Sequence, residues 1–179
     1  FSADQKLDAG NAAETIERIR LIGIAKHFEG KFDESMSLLQ RALELANSQE
    51  VQKDPMLVKI QNDLATLYQS MGNLELAIPM FEKSLELSKN IHGFFHHNTL
   101  EKINNLAGAR RDNGDFKVAS ELYEQLYEQM SKRRGKKHPE SLRCQMNLGE
   151  VISALGDQPR AIQLLTDARR GLEDTVGLH

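Results

Sequence analysis

The amino-acid sequence predicts an all-α protein built from four similar helical hairpins. Composition is the first observation, because 24 leucines stand against 5 valines, with 4 prolines and no tryptophan. That mixture favours helix over strand. The second observation is a period, and a fixed spacing of about 20 to 50 residues is typical of repeat proteins. Four glycines are spaced by 42 residues, and each opens a similar stretch of sequence: Gly30, Gly72, Gly114 and Gly156.

Each repeat is predicted to contain two amphipathic helices with the periodic glycine between them. In the second repeat, apolar residues recur at three- and four-residue steps before the glycine, as at Leu64 and Tyr68. A second apolar stripe follows the glycine, from Leu74 to Leu85. Glycine adopts positive φ readily, so it ends the first helix and permits a tight turn. The predicted repeats are 11–52, 53–94, 95–136 and 137–179, after a segment 1–10 that is the remnant of a preceding repeat or an N-terminal extension.

Composition also excludes several classes of protein. The net charge is −3 and 40% of the residues are hydrophobic, but no apolar run reaches the ~20 residues that a membrane-spanning helix needs. We therefore expect a soluble chain without membrane insertion, and its near-neutral charge argues against a nucleic-acid binder. The single cysteine excludes internal disulfides and favours a reducing, cytoplasmic location. Because the chain begins at Phe1, we expect a fragment of a longer protein that is truncated at both ends.

Small residues on both helices of each hairpin complete a recognisable pattern. The pairs are Gly23 with Ser35, Ala65 with Ala77, Ala107 with Ala119, and Gly149 with Ala161. With the apolar stripes and the periodic glycines, this pattern resembles the tetratricopeptide repeat (TPR) throughout the chain. The 42-residue length, INNLA at 103–107, GKKHPES at 135–141 and AIP at 77–79 are similar to the kinesin light chain subfamily. The resemblance implies a right-handed α-α superhelix, a TPR solenoid, that binds other proteins and is not an enzyme.

The resemblance further implies that the first helix of each repeat lines a concave groove. Helical spacing places polar residues opposite the core stripe of these helices. An asparagine amide both donates and accepts, so four of them could bind an extended peptide backbone, unless they are only polar surface. The predicted groove residues are Arg20, His27, Lys59, Asn62, Asp63, Thr66, Glu101, Asn104, Asn105, Arg111, Arg143, Met146, Asn147 and Glu150.

Charges in the predicted groove are mixed. Arg111 and Arg143 are candidates to bind acidic residues of a ligand, although acidic neighbours oppose this role. Gly108 either leaves a pocket for an anchoring side chain or serves helix packing. The basic run 132–137 is interpreted as a solvated loop at a helix end, where cations are favoured. The alternative is a contact with nucleic acid, an acidic tail or a membrane surface.

The remaining candidate residues give little indication of a metal site or of catalysis. Three histidines lie in one loop at His92, His96 and His97, but no cysteine or carboxylate completes a metal site, and the alignment of His96 with His138 indicates a structural loop motif. Phe94 and Phe95 are expected to pack between consecutive hairpins. No catalytic motif surrounds the lone cysteine, so we expect neither an enzyme nor a cofactor.

The sequence therefore predicts an adaptor or scaffold that binds an extended peptide of a partner protein in its groove, in the manner of a cargo adaptor. Two alternatives stay open. The repeats are a regulatory or sensor arm of a larger signalling ATPase, or they form a structural scaffold that self-associates through exposed end repeats.

Overall fold

A computed structural model describes residues 9–48 and 55–176 of the chain. These residues form eight α-helices without strands, which confirms the predicted all-α class of TPR-type hairpins. Residues 1–8 of the predicted N-terminal segment lie outside the described residues, and the division into repeats at 11, 53, 95 and 137 stays a prediction. The helices are α1 (Ala9–Phe28), α2 (Phe32–Asn47), α3 (Pro55–Ser70), α4 (Leu74–His92), α5 (His97–Asp112), α6 (Phe116–Arg134), α7 (Pro139–Ala154) and α8 (Gln158–Val176).

The helices divide into two compact units. The N-terminal unit extends to Ile91 and the C-terminal unit begins at His92. In the N-terminal unit α2 packs against α1 and α3, and α1 also contacts α3. In the C-terminal unit α6 packs against α5 and α7, and α7 packs against α8. No helix in the described ranges is both long enough and apolar enough to cross a membrane.

The periodic glycines close the turn inside each hairpin, as predicted. Gly72 has a φ of 76°, and the other three have φ between 74° and 93°. After α3 the backbone N–H of Asn73 donates to the carbonyl of Tyr68 at 2.8 Å, and that of Gly72 donates to Gln69 at 2.9 Å. This pair of bonds satisfies carbonyls that the helix end leaves unpaired. A residue with a Cβ is strained at this φ, which explains why glycine returns every 42 residues.

The small-residue pairs bring the two helices of each hairpin close together. Ala65 and Ala77 are fully buried in the second hairpin. In the fourth hairpin, a Cβ added to Gly149 would lie 2.8 Å from Cγ of Leu165, closer than side chains tolerate. The core around these contacts uses equivalent positions of successive repeats, with Phe81 and Tyr123 completely buried at positions 42 residues apart. Close backbones and buried large side chains together explain the stability of the hairpins.

Histidine caps the helices that begin the third and fourth hairpins. Nδ1 of His96 accepts a hydrogen bond from the backbone N–H of Asn98 at 3.3 Å, and Nδ1 of His138 accepts from Glu140 at 3.2 Å. The two aligned histidines therefore share one capping role. The expectation for Phe95 is wrong, since its side chain is 58% exposed, and it makes an edge-to-face contact with Phe94 instead.

Candidate functional site

A cavity of about 570 Å³ lies in the C-terminal unit between α5, α6 and α7. Side chains of these three successive helices form its walls, so the packing of neighbouring hairpins creates the cavity. Six residues predicted for the groove line it, together with eight others. The lining residues are His97, Leu100, Glu101, Asn104, Leu126, Met130, Arg133, Arg134, Glu140, Arg143, Cys144, Met146, Asn147 and Glu150.

The inner wall of the cavity is apolar. Leu100 of α5, Leu126 of α6 and Cys144 of α7 are buried, and they also belong to the core of the unit. Met130 and Met146 are half-buried beside them. Methionine side chains are flexible and polarisable, so they adapt to ligands of different shape. The wall therefore suits an apolar side chain of a ligand.

Two asparagines present amide groups beside this apolar wall. Asn104 lies on α5 and Asn147 lies on α7, and both are half-buried. Within the described ranges, neither side chain has a hydrogen-bond partner. Asn105, which was also predicted for the groove, is half-buried but does not line the cavity and has partners of its own. One residue further along a helix rotates a side chain by about 100°, which explains the difference.

The charged residues of the cavity differ in how they are paired. Arg134 contacts Glu140 at 3.1 Å, and a guanidinium N–H of Arg133 donates to the carbonyl of Phe95. Arg143 is exposed and has no ion-pair or hydrogen-bond partner in the part of the chain that the structure describes. Of the two arginines predicted to serve acidic ligands, only Arg143 is therefore available.

Arg111, the second of these arginines, is already occupied. It contacts Glu150 at 3.2 Å and Asp112 at 3.1 Å, and it is not part of the cavity lining. Gly108 also lies on α5 outside the lining, half-buried. The predicted roles of these two residues in ligand binding gain no support from the geometry.

The thiol of Cys144 in the cavity wall is unreactive. Burial raises the pKa of Cys144 to about 12, and its S–H donates to the carbonyl of Tyr123 at 3.5 Å. A thiol is nucleophilic only as the thiolate. Cys144 is therefore protonated at neutral pH and serves as an apolar wall residue.

The predicted groove residues of the N-terminal unit bind one another. Arg20 contacts Glu17 at 2.7 Å and Asp63 at 2.5 Å, which joins α1 to α3. The hydrogen bond from Arg20 lowers the pKa of Glu17 below its ordinary value. Lys59 lies 3.9 Å from the same carboxylate of Glu17. These four side chains form a continuous ion-pair network, which we call the α1–α3 network.

The other predicted groove residues of the N-terminal unit are also engaged. His27 Nε2 lies 2.8 Å from Oγ of Ser70, and the hydroxyl of Thr66 donates to the carbonyl of Asn62 at 2.9 Å. The side chain of Asn62 is only 6% exposed, and it has partners inside the protein. Asn62, one of the four asparagines predicted to bind a peptide backbone, is therefore not accessible to a ligand.

The loop histidines are packed on one another. The ring centroids of His92 and His96 are 4.6 Å apart, and those of His96 and His97 are 4.4 Å apart. Within residues 9–48 and 55–176, no group of three or more histidine, cysteine or acidic side chains is placed to hold a metal ion. Nδ1 of His96 is already used in the helix cap.

Sequence reasoning missed the contribution of α6 to the cavity. Leu126 and Met130 come from its inner face, and Arg133 and Arg134 come from its last turn. The basic run 132–137 is the sequence signal for this contribution, but by itself it predicts only a solvated loop at a helix end. The structure brings two of its arginines to the cavity that the predicted groove residues also line.

A family model now identifies the fold. The model described as "Tetratricopeptide repeat" matches residues 56–128 and 98–174, more than half of the chain. The chain belongs to the tetratricopeptide repeat family. TPR hairpins generally serve protein interaction rather than catalysis, and no enzyme family is indicated. No curated protein matches this TPR chain in sequence.

Solved structures with similar folds include kinesin-light-chain-like proteins. BtubC (BKLC) from P. vanneervenii superposes with a TM-score of 0.87 at 20% identity, over 98% of this chain and 70% of that one. A putative kinesin light chain from Podosopora anserina, with nearly identical TPR-like repeats, has a TM-score of 0.77 at 24% identity, over 97% and 80%. These likenesses show the TPR fold.

A Rap protein complexed with Competence and Sporulation Factor is also similar. Its TM-score is 0.73 at 13% identity, and the match covers 88% of this chain and 43% of the Rap chain. At this identity the likeness again shows the fold alone.

Proposed function

We propose that this TPR chain is an adaptor or scaffold module that holds an extended peptide segment of a partner protein in the cavity of the C-terminal unit. The observation that carries the proposal is a pair of amides, Asn104 and Asn147, on two helices beside an apolar wall, which have no hydrogen-bond partner among the described residues. Because these amides make no hydrogen bond to the described part of the protein, their donors and acceptors are available to pair with a bound peptide.

The chemistry of the cavity matches an extended peptide. A peptide in this conformation presents alternating N–H and carbonyl groups, and an asparagine amide can bind one of each. An apolar side chain of the same peptide fits against Leu126 and the two methionines that line the cavity. Burial of one such side chain contributes about 1.5–3 kcal/mol. Backbone hydrogen bonds would then supply affinity for extended segments, and the wall would select the anchor.

The comparisons support this proposal at the level of the family. Similar folds include kinesin-light-chain-like repeats and a Rap protein complexed with Competence and Sporulation Factor. We further propose that this chain belongs to the kinesin-light-chain-like subfamily with 42-residue repeats. Its role is then similar to that of a cargo adaptor. A cytoplasmic location fits the single reduced cysteine. Regulation of a larger signalling ATPase and self-association are the alternative roles.

Peptide selection followed by affinity measurement tests the proposal. Random twelve-residue peptides on a display library are selected on the chain, and dissociation constants of the enriched peptides are measured by fluorescence anisotropy. The double variant Asn104→Ala/Asn147→Ala should weaken binding about tenfold or more, because each lost hydrogen bond contributes roughly 1 kcal/mol. Asn90→Ala is the matched control, since Asn90 is exposed on α4 in the other unit. It should bind as the wild type does.

Two outcomes would contradict the proposal. In the first, the double variant keeps its helical circular dichroism and its affinity. In the second, no peptide is enriched while light scattering shows that the mass increases with concentration, which would favour the self-associating scaffold.

A further inference from the structure

We propose that the chain docks on the surface of an anionic phospholipid membrane through two neighbouring loops of the C-terminal unit. The loops are 93–96, between α4 and α5, and 135–138, between α6 and α7. Together with Arg133 at the end of α6 they form what we call the loop surface. This inference goes beyond the proposed function, because Phe95, Lys136 and Lys137 of this surface lie outside the lining of the cavity.

The two loops have the same backbone form. In each of them a glycine with positive φ is followed by two residues and then by the histidine that caps the next helix. The backbone N–H of His96 donates to the carbonyl of Gly93 at 3.4 Å, and that of His138 donates to Gly135 at 3.2 Å. The two residues inside each loop therefore occupy equivalent positions of successive hairpins, and equivalent positions are neighbours in a stacked repeat.

A direct contact joins the two loops. A guanidinium N–H of Arg133 donates to the carbonyl of Phe95. Since Arg133 lies two residues before Gly135, this bond holds the first loop beside the beginning of the second. The first loop contains two phenylalanines at 94–95 and the second contains two lysines at 136–137. Aromatic and cationic side chains therefore share one surface.

The ring of Phe95 is available for contact with a partner. Its side chain is 58% exposed, and it meets the half-buried Phe94 edge to face, with ring centroids 5.2 Å apart. A single exposed apolar residue is ordinary on a protein surface. What distinguishes Phe95 is its place beside a cluster of cations.

The cations of the loop surface are only partly neutralised. Lys132 pairs with Glu128 at 2.6 Å, and Arg134 pairs with Glu140 at 3.1 Å. Three further cations are exposed and have no ion-pair partner among residues 9–48 and 55–176: Arg133, Lys136 and Lys137. The loop surface therefore has an unbalanced positive charge.

This positive charge is local. The chain as a whole has a net charge of −3. At the end of α8, the position equivalent to Lys132 is occupied by Asp174, which is exposed. An anionic surface therefore attracts the loops and repels much of the remaining chain, which orients the protein on it.

A membrane surface matches both features of the loop surface. Anionic headgroups attract lysine and arginine side chains, while an exposed aromatic ring enters the boundary between headgroups and acyl chains. The contact is peripheral and requires no membrane-spanning helix. Single-stranded nucleic acid is bound on several aromatic faces in succession, whereas this surface exposes one ring. A duplex would contact the cations through its phosphates and leave Phe95 unused.

Cosedimentation with lipid vesicles tests the charge of the surface. Vesicles of phosphatidylcholine with about 30 mol% phosphatidylserine should bind the chain at least about tenfold more tightly than pure phosphatidylcholine vesicles at low salt, and less tightly at high salt. Lys136→Gln/Lys137→Gln should lower this affinity about tenfold or more. Lys83→Gln/Lys117→Gln is the matched control, because it removes the same charge at exposed positions outside the loop surface and should bind as the wild type does.

A tryptophan at position 95 tests the aromatic contact. The chain has no tryptophan, so Phe95→Trp introduces a single indole. Its fluorescence should shift to shorter wavelength when phosphatidylserine vesicles are added, because the ring leaves water. Val118→Trp is the control, since Val118 is exposed in the first turn of α6, at the opposite end of that helix from Arg133. Its emission should not change.

Several outcomes would overturn the inference. Equal affinity for the two kinds of vesicle would do so, as would an unchanged emission of Phe95→Trp. Binding of a single-stranded oligonucleotide that Lys136→Gln/Lys137→Gln loses, without binding to vesicles, would assign the surface to nucleic acid instead. The same variant should keep the affinity of the wild type for selected peptides. A loss of peptide binding would show that these lysines belong to the cavity site and would overturn the separate surface, while the proposed function stands.

Discussion

The two units use equivalent helix faces in different ways. In the N-terminal unit, the α1–α3 network joins Arg20, Glu17, Asp63 and Lys59, so these polar side chains are bound to one another. In the C-terminal unit, Asn104 and Asn147 have no partner in the described part of the chain and lie beside a cavity. The same 42-residue frame thus produces a closed polar surface in one unit and an open site in the other.

The difference lies in single side chains and not in the helices. Arg20, Asn62, Asn104 and Met146 occupy equivalent positions of successive repeats. Arg20 reaches a carboxylate on the next first helix. The side chain of Asn104 carries no charge and cannot form such an ion pair, and its amide has no partner within residues 9–48 and 55–176. Repeat folds are stabilised by buried positions between neighbours, so the exposed positions are free to differ from one repeat to the next.

Core truncation gives the largest expected effect, and it should be similar in the two units. Phe81→Ala and Tyr123→Ala remove equivalent, fully buried rings. Each should lower the free energy of unfolding by about 3–5 kcal/mol. Urea denaturation followed by circular dichroism measures the total change, and amide hydrogen exchange shows which unit is affected.

The exposed ring of Phe95 supplies a control for these variants. Phe95→Ala should change stability by less than about 0.5 kcal/mol, because little area is lost from the core. A cost for Phe81→Ala below 1 kcal/mol, or exchange effects confined to the wrong unit, would contradict the view that the two units share one type of core.

Removal of a groove residue should have an intermediate effect that differs between the units. Arg20→Ala removes the guanidinium group that Asp63 and Glu17 share, and the side chains of Arg20 and Asp63 are only 11% and 17% exposed. We expect a loss of roughly 1–2 kcal/mol, reduced by solvent screening. Asn147→Ala removes no side-chain hydrogen bond to residues 9–48 or 55–176 and should change stability by less than about 0.5 kcal/mol. Thermal and urea unfolding of both variants measure the contrast, and equal losses would contradict it.

The smallest effect is a dependence of stability on pH in the C-terminal unit. Desolvation, with the nearby charges of His97, His92 and Arg133, lowers the pKa of His96 below its ordinary value of 6.5. The folded chain therefore binds this proton less readily than the unfolded chain. The stabilisation from neutral His96 is present above about pH 6.5 and decreases as the pH falls below that value.

A substitution that keeps the cap but does not titrate isolates this effect. His96→Asn retains a side-chain acceptor for the backbone N–H of Asn98. The urea midpoint of the wild type should fall more between pH 7.5 and 5.5 than that of His96→Asn. Identical pH dependence in the two proteins would show that His96 is not responsible.

Much of the fold could be predicted because it depends on local and repeated features. The 42-residue period of the glycines predicts the turn at Gly72. The small side chains of Ala65 and Ala77 predict the close contact between the two helices of the hairpin. Pairing across helices was harder to predict. The bond between Arg20 and Asp63, 43 residues apart, depends on the reach and rotamer of a long side chain, which a helical wheel does not contain.

The candidate site was predictable only in part for the same reason. Asn147 and Met146 were placed by helical spacing, and they line the cavity. The same spacing also selected Asn62, which packing between helices buries. Leu126 and Arg133 are not among the predicted residues, because the prediction places the groove on the first helices alone, whereas the inner face and the last turn of α6 also line the cavity.

The most direct test of the account is to follow the side-chain amides of the asparagines by nuclear magnetic resonance while a selected peptide is added. We expect the amide signals of Asn104 and Asn147 to shift together and to saturate with the dissociation constant found by anisotropy, while that of Asn62 does not move. A peptide that shifts Asn62 and residues of the α1–α3 network, and leaves Asn104 and Asn147 unchanged, would contradict the central claim that the open site is in the C-terminal unit.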